Sequence, residues 1–133
     1  MPAPVPRLEL RGITKQYPGA SHPAVDHVTL TVPEGEVCVL IGPSGCGKTT
    51  TMRLIAGLEQ PDSGDVRVDG RSIISIPPHK RRIGLVFQDH ALFPHMTVAG
   101  NVAFGLRMAR VAKAELRSRV ERALTLVHLP IDE

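Results

Sequence analysis

Aromatic residues are scarce in this 133-residue sequence, which has no tryptophan, one tyrosine and three phenylalanines. Proteins that bind single-stranded nucleic acid stack bases on aromatic side chains, so this scarcity argues against a nucleic-acid partner. The only cysteines, Cys38 and Cys46, are too few for a disulfide framework and favour a reducing compartment. No apolar run approaches the roughly 20 residues that a membrane-spanning helix needs.

Charge is distributed unevenly along the chain. Residues 1–70 contain 6 basic and 8 acidic residues, whereas residues 71–133 contain 10 basic and 5 acidic ones. A basic half is compatible with nucleic acid or an anionic membrane surface. With so few aromatic residues, we interpret it instead as a solvated helix face plus a basic segment near phosphates. Part of this charge lies in Pro77–Arg82, which we expect to be rigid and exposed.

The most informative stretch is residues 42–50, with the sequence GPSGCGKTT. It matches the phosphate-binding pattern G-x-x-x-x-G-K-[ST]. Val37–Ile41, just before it, is an unbroken apolar run, which predicts a strand buried on both faces. Thr50–Gly57, just after it, predicts a helix that ends at Gly57. A strand, a glycine-rich loop and a helix in this order predict a nucleotide-phosphate site.

The residue types in the loop suit a triphosphate. Gly42, Gly45 and Gly47 let successive backbone N–H groups point inward, and the following helix adds the positive end of its dipole. Lys48 is predicted to reach the β- and γ-phosphates, and Thr49 is predicted to ligate Mg²⁺.

Strands of a different kind are predicted elsewhere. The segments 8–13 and 28–32 alternate apolar and polar residues, which is typical of half-buried strands and predicts a small antiparallel sheet. Residues 65–70 alternate in the same way and predict a further strand, which is a candidate to flank the core. Residues 83–87 form a second apolar run, for which we predict a strand of the parallel core.

Two further side chains are candidates for the site. Tyr17 lies in a turn ahead of the phosphate loop, where it either stacks on a base or serves as an ordinary core or edge residue. Gln88 ends the second apolar run, so its amide either meets Mg²⁺ or an attacking water, or it faces solvent as an ordinary loop residue.

Together, residues 17–19, 42–50, 86–89 and 91–98 resemble the ATP-binding subunit of ABC transporters, in particular importers of polyamines, iron, sulfate or sugars. The resemblance extends from about Leu8 to the last residue. It implies an α/β fold: a P-loop NTPase core with a parallel sheet, a small antiparallel β-subdomain and the start of a helical subdomain. We expect one partial domain, with a disordered tail at 1–6, core and β-subdomain at 7–88 and helical subdomain from 89 to 133.

The resemblance also implies a role for each matching residue. Tyr17 corresponds to the adenine-stacking aromatic, and Gln88 to the glutamine that senses the γ-phosphate and Mg²⁺. Lys48 and Gln88 are the implied catalytic residues, Thr49 and Gln88 the implied Mg²⁺ ligands. The implied ATP-binding residues are Tyr17, Gly42, Ser44, Gly45, Cys46, Gly47, Lys48, Thr49 and Thr50.

The family pattern implies partners: transmembrane permease subunits, contacted near residues 91–98, and a second ATPase subunit. It places such a protein in the cytoplasm, on the inner face of the cell membrane. Several elements of the family pattern are not found in this sequence. They are the aspartate that closes a buried strand, the catalytic glutamate beside it, the signature motif and the switch histidine. Asp132 and Glu133 imitate the acidic pair, but Pro130 interrupts any strand before them. The resemblance implies the ATP-binding component of an importer, which couples ATP binding and hydrolysis to substrate import through its membrane partners. The alternative is a truncated nucleotide-binding remnant, and we expect that the 133-residue chain alone does not hydrolyse ATP.

Two further predictions concern helices in the expected helical subdomain. Thr97 is expected to cap a helix through Val98–Phe104, where Gly100 replaces the glutamate of a capping box. A second helix is predicted from Ala112 to His128, with an ion pair between Glu115 and Arg119.

Overall fold

The computed structural model describes residues 5–89 and 91–130, and it divides into two compact units, residues 1–85 and 86–133. The expected tail at 1–6 falls partly, and Asp132 and Glu133 fall wholly, outside the described residues.

The first unit contains a four-stranded antiparallel sheet. Its strands are β1 (Leu8–Lys15), β2 (Val25–Val32), β3 (Ser63–Val68) and β4 (Arg71–Ser72), in the order β2-β1-β3-β4. Leu10 of β1 is aligned with Leu30 on one side and Val66 on the other. The alternation in the sequence therefore predicted β1, β2 and β3 as strands, whereas the place of β3 in this sheet and the short strand β4 were not predicted.

One helix, α1 (Lys48–Ala56), packs into the core of this unit. The core is apolar and consists of Leu10, Ile13, Val25, Leu54, Ile55, Val66 and Ile73. Gly57 ends the helix with a φ of 81°, and its backbone N–H donates to the carbonyl of Leu54. The predicted glycine stop is confirmed, since glycine adopts this left-handed conformation without steric cost.

The parallel part of the expected sheet needs correction. The mixed α/β class is confirmed, but neither 37–41 nor 83–87 is a strand in the described part of the chain. Val37, Ile41 and Val86 are 90%, 91% and 96% exposed. A parallel strand needs a neighbouring strand for its ladder and cover on both faces. These segments have no ladder partner among residues 5–89 and 91–130, so the apolar runs remain irregular.

The basic segment before the second apolar run also differs from expectation. Pro78–Lys80 form a single 3₁₀ turn with exposed side chains, but Arg81 is only 7% exposed. Its guanidinium donates to the carbonyls of Leu54 and Ile55, both at 2.9 Å, and to two carbonyls of the 73–76 segment. The cation therefore satisfies carbonyls at the end of α1, where the helix dipole is negative. Desolvation lowers the pKa of Arg81 from its ordinary value.

The second unit contains α2 (Val98–Met108) and α3 (Lys113–Leu126). They pack through Ala103, Val120 and Leu124. The predicted Thr97 cap is confirmed, since its Oγ1 accepts from the Gly100 N–H at 3.1 Å. The predicted Glu115–Arg119 ion pair is confirmed at 2.6 Å. Within the described ranges, no helix has the length and apolar content needed to cross a bilayer.

Candidate nucleotide-binding site

The phosphate loop, residues 42–47, leads directly into α1 and is exposed along most of its length. Two of its glycines have positive φ, 83° at Gly45 and 91° at Gly47. Residues with side chains rarely adopt this conformation, so the glycines allow the chain to reverse before the helix. The Cys46 N–H closes a turn on the Pro43 carbonyl at 3.3 Å.

Gly47 is required for a second reason, which is a close approach to another backbone segment. A Cβ placed on Gly47 would overlap the carbonyl oxygen of Ala24. Ala24 immediately precedes β2, and its N–H donates to the Lys15 carbonyl at 2.7 Å. The antiparallel sheet therefore contacts the phosphate loop through the backbone of Ala24, a contact that sequence reasoning did not predict.

Lys48 lies over the phosphate loop rather than pointing into solvent. Its Nζ donates to the carbonyls of Gly42 and Pro43, both at 2.7 Å, and lies 3.4 Å from Cys46 Sγ. All three ammonium hydrogens thus have acceptors within the loop. A phosphate oxygen would have to replace at least one of them.

The backbone N–H groups at the N-terminus of α1 have few competing acceptors within the protein. Gly47 occupies the cap position, no side chain accepts a capping hydrogen bond, and no acidic residue lies in the first turn. The first N–H groups of a helix have no intrahelical acceptor, and the helix dipole is positive there. These features fit an anion. Thr49 is in this first turn and exposed, and Thr50 follows it.

Tyr17 lies in the same unit, in a turn closed by the Ala20 N–H on the Tyr17 carbonyl at 3.1 Å. Its ring is partly buried, and the ammonium of Lys15 lies 5.9 Å from the ring centroid. The turn is held by Asp62, whose pKa is lowered by the hydrogen bond from the Gln16 N–H and by Lys15. No pattern in the sequence singled out Asp62.

Gln88 is an exposed turn residue in the second unit, whereas Tyr17, Ser44, Lys48 and Thr49 belong to the first. The phosphate loop, α1 and Tyr17 therefore belong to one unit, and Gln88 belongs to the other. The role of Gln88 remains a prediction.

The segment expected at the permease contact has an organised geometry of its own. The Asn101 side chain accepts from the Phe93 N–H at 2.8 Å and donates to the carbonyls of Phe93, Met96 and Thr97. Phe93 packs against Phe104 with ring centroids 4.5 Å apart. We call residues 93–97 the phenylalanine turn.

Comparison with known proteins gives the family. The family model described as ABC transporter matches residues 25–132, which include the phosphate loop, α1 and both helices of the second unit. The chain belongs to the ABC transporter family.

Curated relatives within this family are ATP-binding proteins of polyamine importers. The chain is 52% identical over 124 residues to the spermidine/putrescine import ATP-binding protein PotA of Pseudomonas aeruginosa. It is 50% identical over 124 residues to the putrescine transport ATP-binding protein PotG of Escherichia coli. Each alignment covers 93% of this chain but only 34% and 32% of the relative. The chain therefore spans about a third of the length of the relatives it matches.

Solved structures of ABC transporter cassettes have the same fold. One is a dimeric ATP-binding cassette in a post-hydrolysis state with ADP and phosphate bound, similar with a TM-score of 0.82 at 29% identity. The match covers 93% of this chain and 58% of that cassette. The predicted fold class and family resemblance are thereby confirmed.

Proposed function

We propose that this chain binds Mg-ATP through the phosphate loop and the N-terminus of α1. The observation that carries the proposal is the combination of Lys48, positive-φ glycines and an uncapped helix N-terminus in one exposed loop. The backbone N–H groups of residues 44–50 donate to phosphate oxygens, and Lys48 exchanges its loop carbonyls for the β- and γ-phosphates. Tyr17 stacks on the adenine.

The metal of this proposal is carried by the nucleotide. No group of three or more histidine, cysteine or acidic residues suited to a metal exists within residues 5–89 and 91–130. In this proposal Mg²⁺ takes oxygen ligands from the phosphates, water and the Thr49 hydroxyl, with the Gln88 amide as a further ligand. Magnesium commonly keeps waters and binds with substrate phosphates in this way.

The wider role that we propose is the ATP-binding component of an importer. The supporting observation is the 50–52% identity to PotA and PotG proteins, whose names state polyamine import or transport. Residues 7–88 form the core and β-subdomain, and residues 89–133 begin the helical subdomain. The chain works on the inner face of the membrane with permease subunits near residues 91–98 and with a second ATPase subunit. Polyamines are the corresponding substrate class.

A second candidate is a nucleotide-binding module without turnover. Phosphate release from Mg-ATP, measured alongside binding, separates the two. Binding without release supports the module, and release that disappears in Lys48→Ala supports the ATPase.

The partner class needs its own experiment. The chain is mixed with detergent-solubilised permease subunits of a PotA- or PotG-type importer, and in parallel with single-stranded DNA. Retention by the permeases alone supports the importer role. Retention by DNA alone contradicts it.

A further inference from the structure

Asp62 lies between α1 and β3, and it is bonded to three consecutive residues at the end of β1. Its Oδ2 accepts from the Gln16 N–H at 2.7 Å, and its Oδ1 lies 3.3 Å from the Lys15 ammonium. Its own N–H donates to the Thr14 carbonyl at 2.9 Å. A carboxylate that accepts a backbone N–H and pairs with an ammonium makes stronger hydrogen bonds than a neutral acceptor does.

These contacts fix the residue next to Tyr17. The Gln16 side chain donates in turn to the Ala20 carbonyl at 2.7 Å, across the turn that Tyr17 begins. Lys15 uses the same ammonium for Asp62 and for the face of the Tyr17 ring. Both the backbone and one face of the ring are therefore constrained by groups that Asp62 holds.

The end of β1 also contacts the phosphate loop, through the backbone of Ala24. The Lys15 carbonyl accepts from the Ala24 N–H, and the Ala24 carbonyl touches Gly47 at a spacing that leaves no room for a Cβ. Asp62 thus lies on one side of the Lys15–Tyr17 segment and Ala24 on the other. A series of backbone contacts therefore connects the Tyr17 turn to the phosphate loop.

We propose that Asp62 is a positioning residue for the nucleotide base, fixing Tyr17 at a set distance from the phosphate loop without touching the nucleotide. This inference rests on the proposed ATP binding. Removing Asp62 frees the Tyr17 turn, so ordering it again opposes binding of the base and leaves phosphate binding unchanged. The predicted signature is a loss of affinity for ATP but not for inorganic tripolyphosphate.

The test compares these two ligands, each with Mg²⁺, on the full chain and on Asp62→Ala. Because Tyr17 is the only tyrosine, fluorotyrosine labelling gives a single fluorine resonance that reports on its ring. We expect ATP, but not tripolyphosphate, to shift this resonance in the wild type. In Asp62→Ala the Kd for ATP should rise about fivefold and the shift should shrink, with the Kd for tripolyphosphate unchanged.

Two variants control for charge and for folding. Asp62→Asn keeps an oxygen for the Gln16 N–H and should recover at least half of the lost affinity. Asp69→Asn removes the carboxylate from another exposed ion pair of the first unit, with Arg7 at 2.6 Å, and should bind both ligands like the wild type.

The outcomes separate the inference from the function on which it rests. If the wild type binds neither ligand, the proposed ATP binding fails and the inference fails with it. If the wild type binds both but Asp62→Ala keeps full ATP affinity, or loses both ligands equally, ATP binding stands and the positioning role is overturned.

Discussion

The phosphate loop and the phenylalanine turn are both expected to carry function, but they are stabilised in opposite ways. The phosphate loop owes its shape to backbone conformation: positive φ at Gly45 and Gly47, and the close approach of Gly47 to Ala24. The phenylalanine turn owes its shape to one side chain, the Asn101 amide. This difference matches the ligand expected at each segment. A phosphate is bound by converging backbone N–H groups, whereas a protein partner is bound by exposed side chains.

Gly47→Ala should have the largest effect. The new Cβ would meet the Ala24 carbonyl and would force an alanine into a left-handed conformation. We expect a loss of about 3 kcal/mol in the free energy of unfolding and no detectable Mg-ATP binding. Denaturant unfolding and calorimetry measure the two effects.

Gly45→Ala is the matched control for this variant. Gly45 also has a positive φ, but a Cβ there meets no atom within 4 Å. Gly45→Ala should lower the free energy of unfolding by only about 1 kcal/mol. Equal losses in the two variants would show that the contact with Ala24 contributes nothing.

Asn101→Ala should have the next largest effect on stability, and this effect should be confined to the phenylalanine turn. It leaves the Phe93 N–H and three carbonyls without their side-chain partner, at a cost of about 2 kcal/mol. Faster hydrogen exchange at the Phe93 and Met96 amides would show the loosening.

Ser118→Ala controls for loss of a side-chain hydrogen bond in the same unit. Its hydroxyl donates to the Glu115 carbonyl at an exposed position on α3. It should change stability by less than about 0.5 kcal/mol. Unchanged exchange at Phe93 in Asn101→Ala would contradict the role given to the amide.

The smallest predicted effect is a pH dependence confined to the first unit. The hydrogen bond from Gln16 and the contact with Lys15 lower the pKa of Asp62. Its stabilising contribution is therefore complete above the ordinary value of about 4 and is lost as the pH falls through the lower folded pKa. The Phe93 amide, held by the neutral Asn101, should show no such dependence.

Hydrogen exchange corrected for intrinsic rates checks this prediction. Protection of the Gln16 amide should fall on acidification in the wild type and should be insensitive to pH in Asp62→Asn. A matching loss of protection at Phe93 would indicate general acid unfolding instead.

Sequence patterns predicted the features that depend on local conformation. Alternation identified β1 and β2, Gly57 identified the end of α1, and Thr97 identified the start of α2. In each case the decisive physics lies within a few residues of the pattern, as side-chain period, positive φ or a capping hydrogen bond.

The features that the sequence did not reveal depend on distant partners. The apolar runs at 37–41 and 83–87 show that the segments can be buried, not that a neighbouring strand is available to pair with them. Nothing local distinguishes buried Arg81 from exposed Arg82, since the difference lies in carbonyls at the end of α1. The role of Asp62 could not be predicted from the sequence either, because the residues that it contacts, Gln16 and Lys15, are 46 and 47 positions away along the chain.

ATP binding by the phosphate loop is tested most directly by a calorimetric titration of Mg-ATP into the 133-residue chain, into Lys48→Ala and into Lys80→Ala. Lys80 is exposed on the 3₁₀ turn and controls for the loss of one positive charge. We expect saturable binding to the wild type and to Lys80→Ala. Lys48→Ala should bind at least tenfold more weakly, a loss of about 1.4 kcal/mol in binding free energy. Equal binding to all three proteins, or binding to none, would contradict the claim that this loop binds ATP.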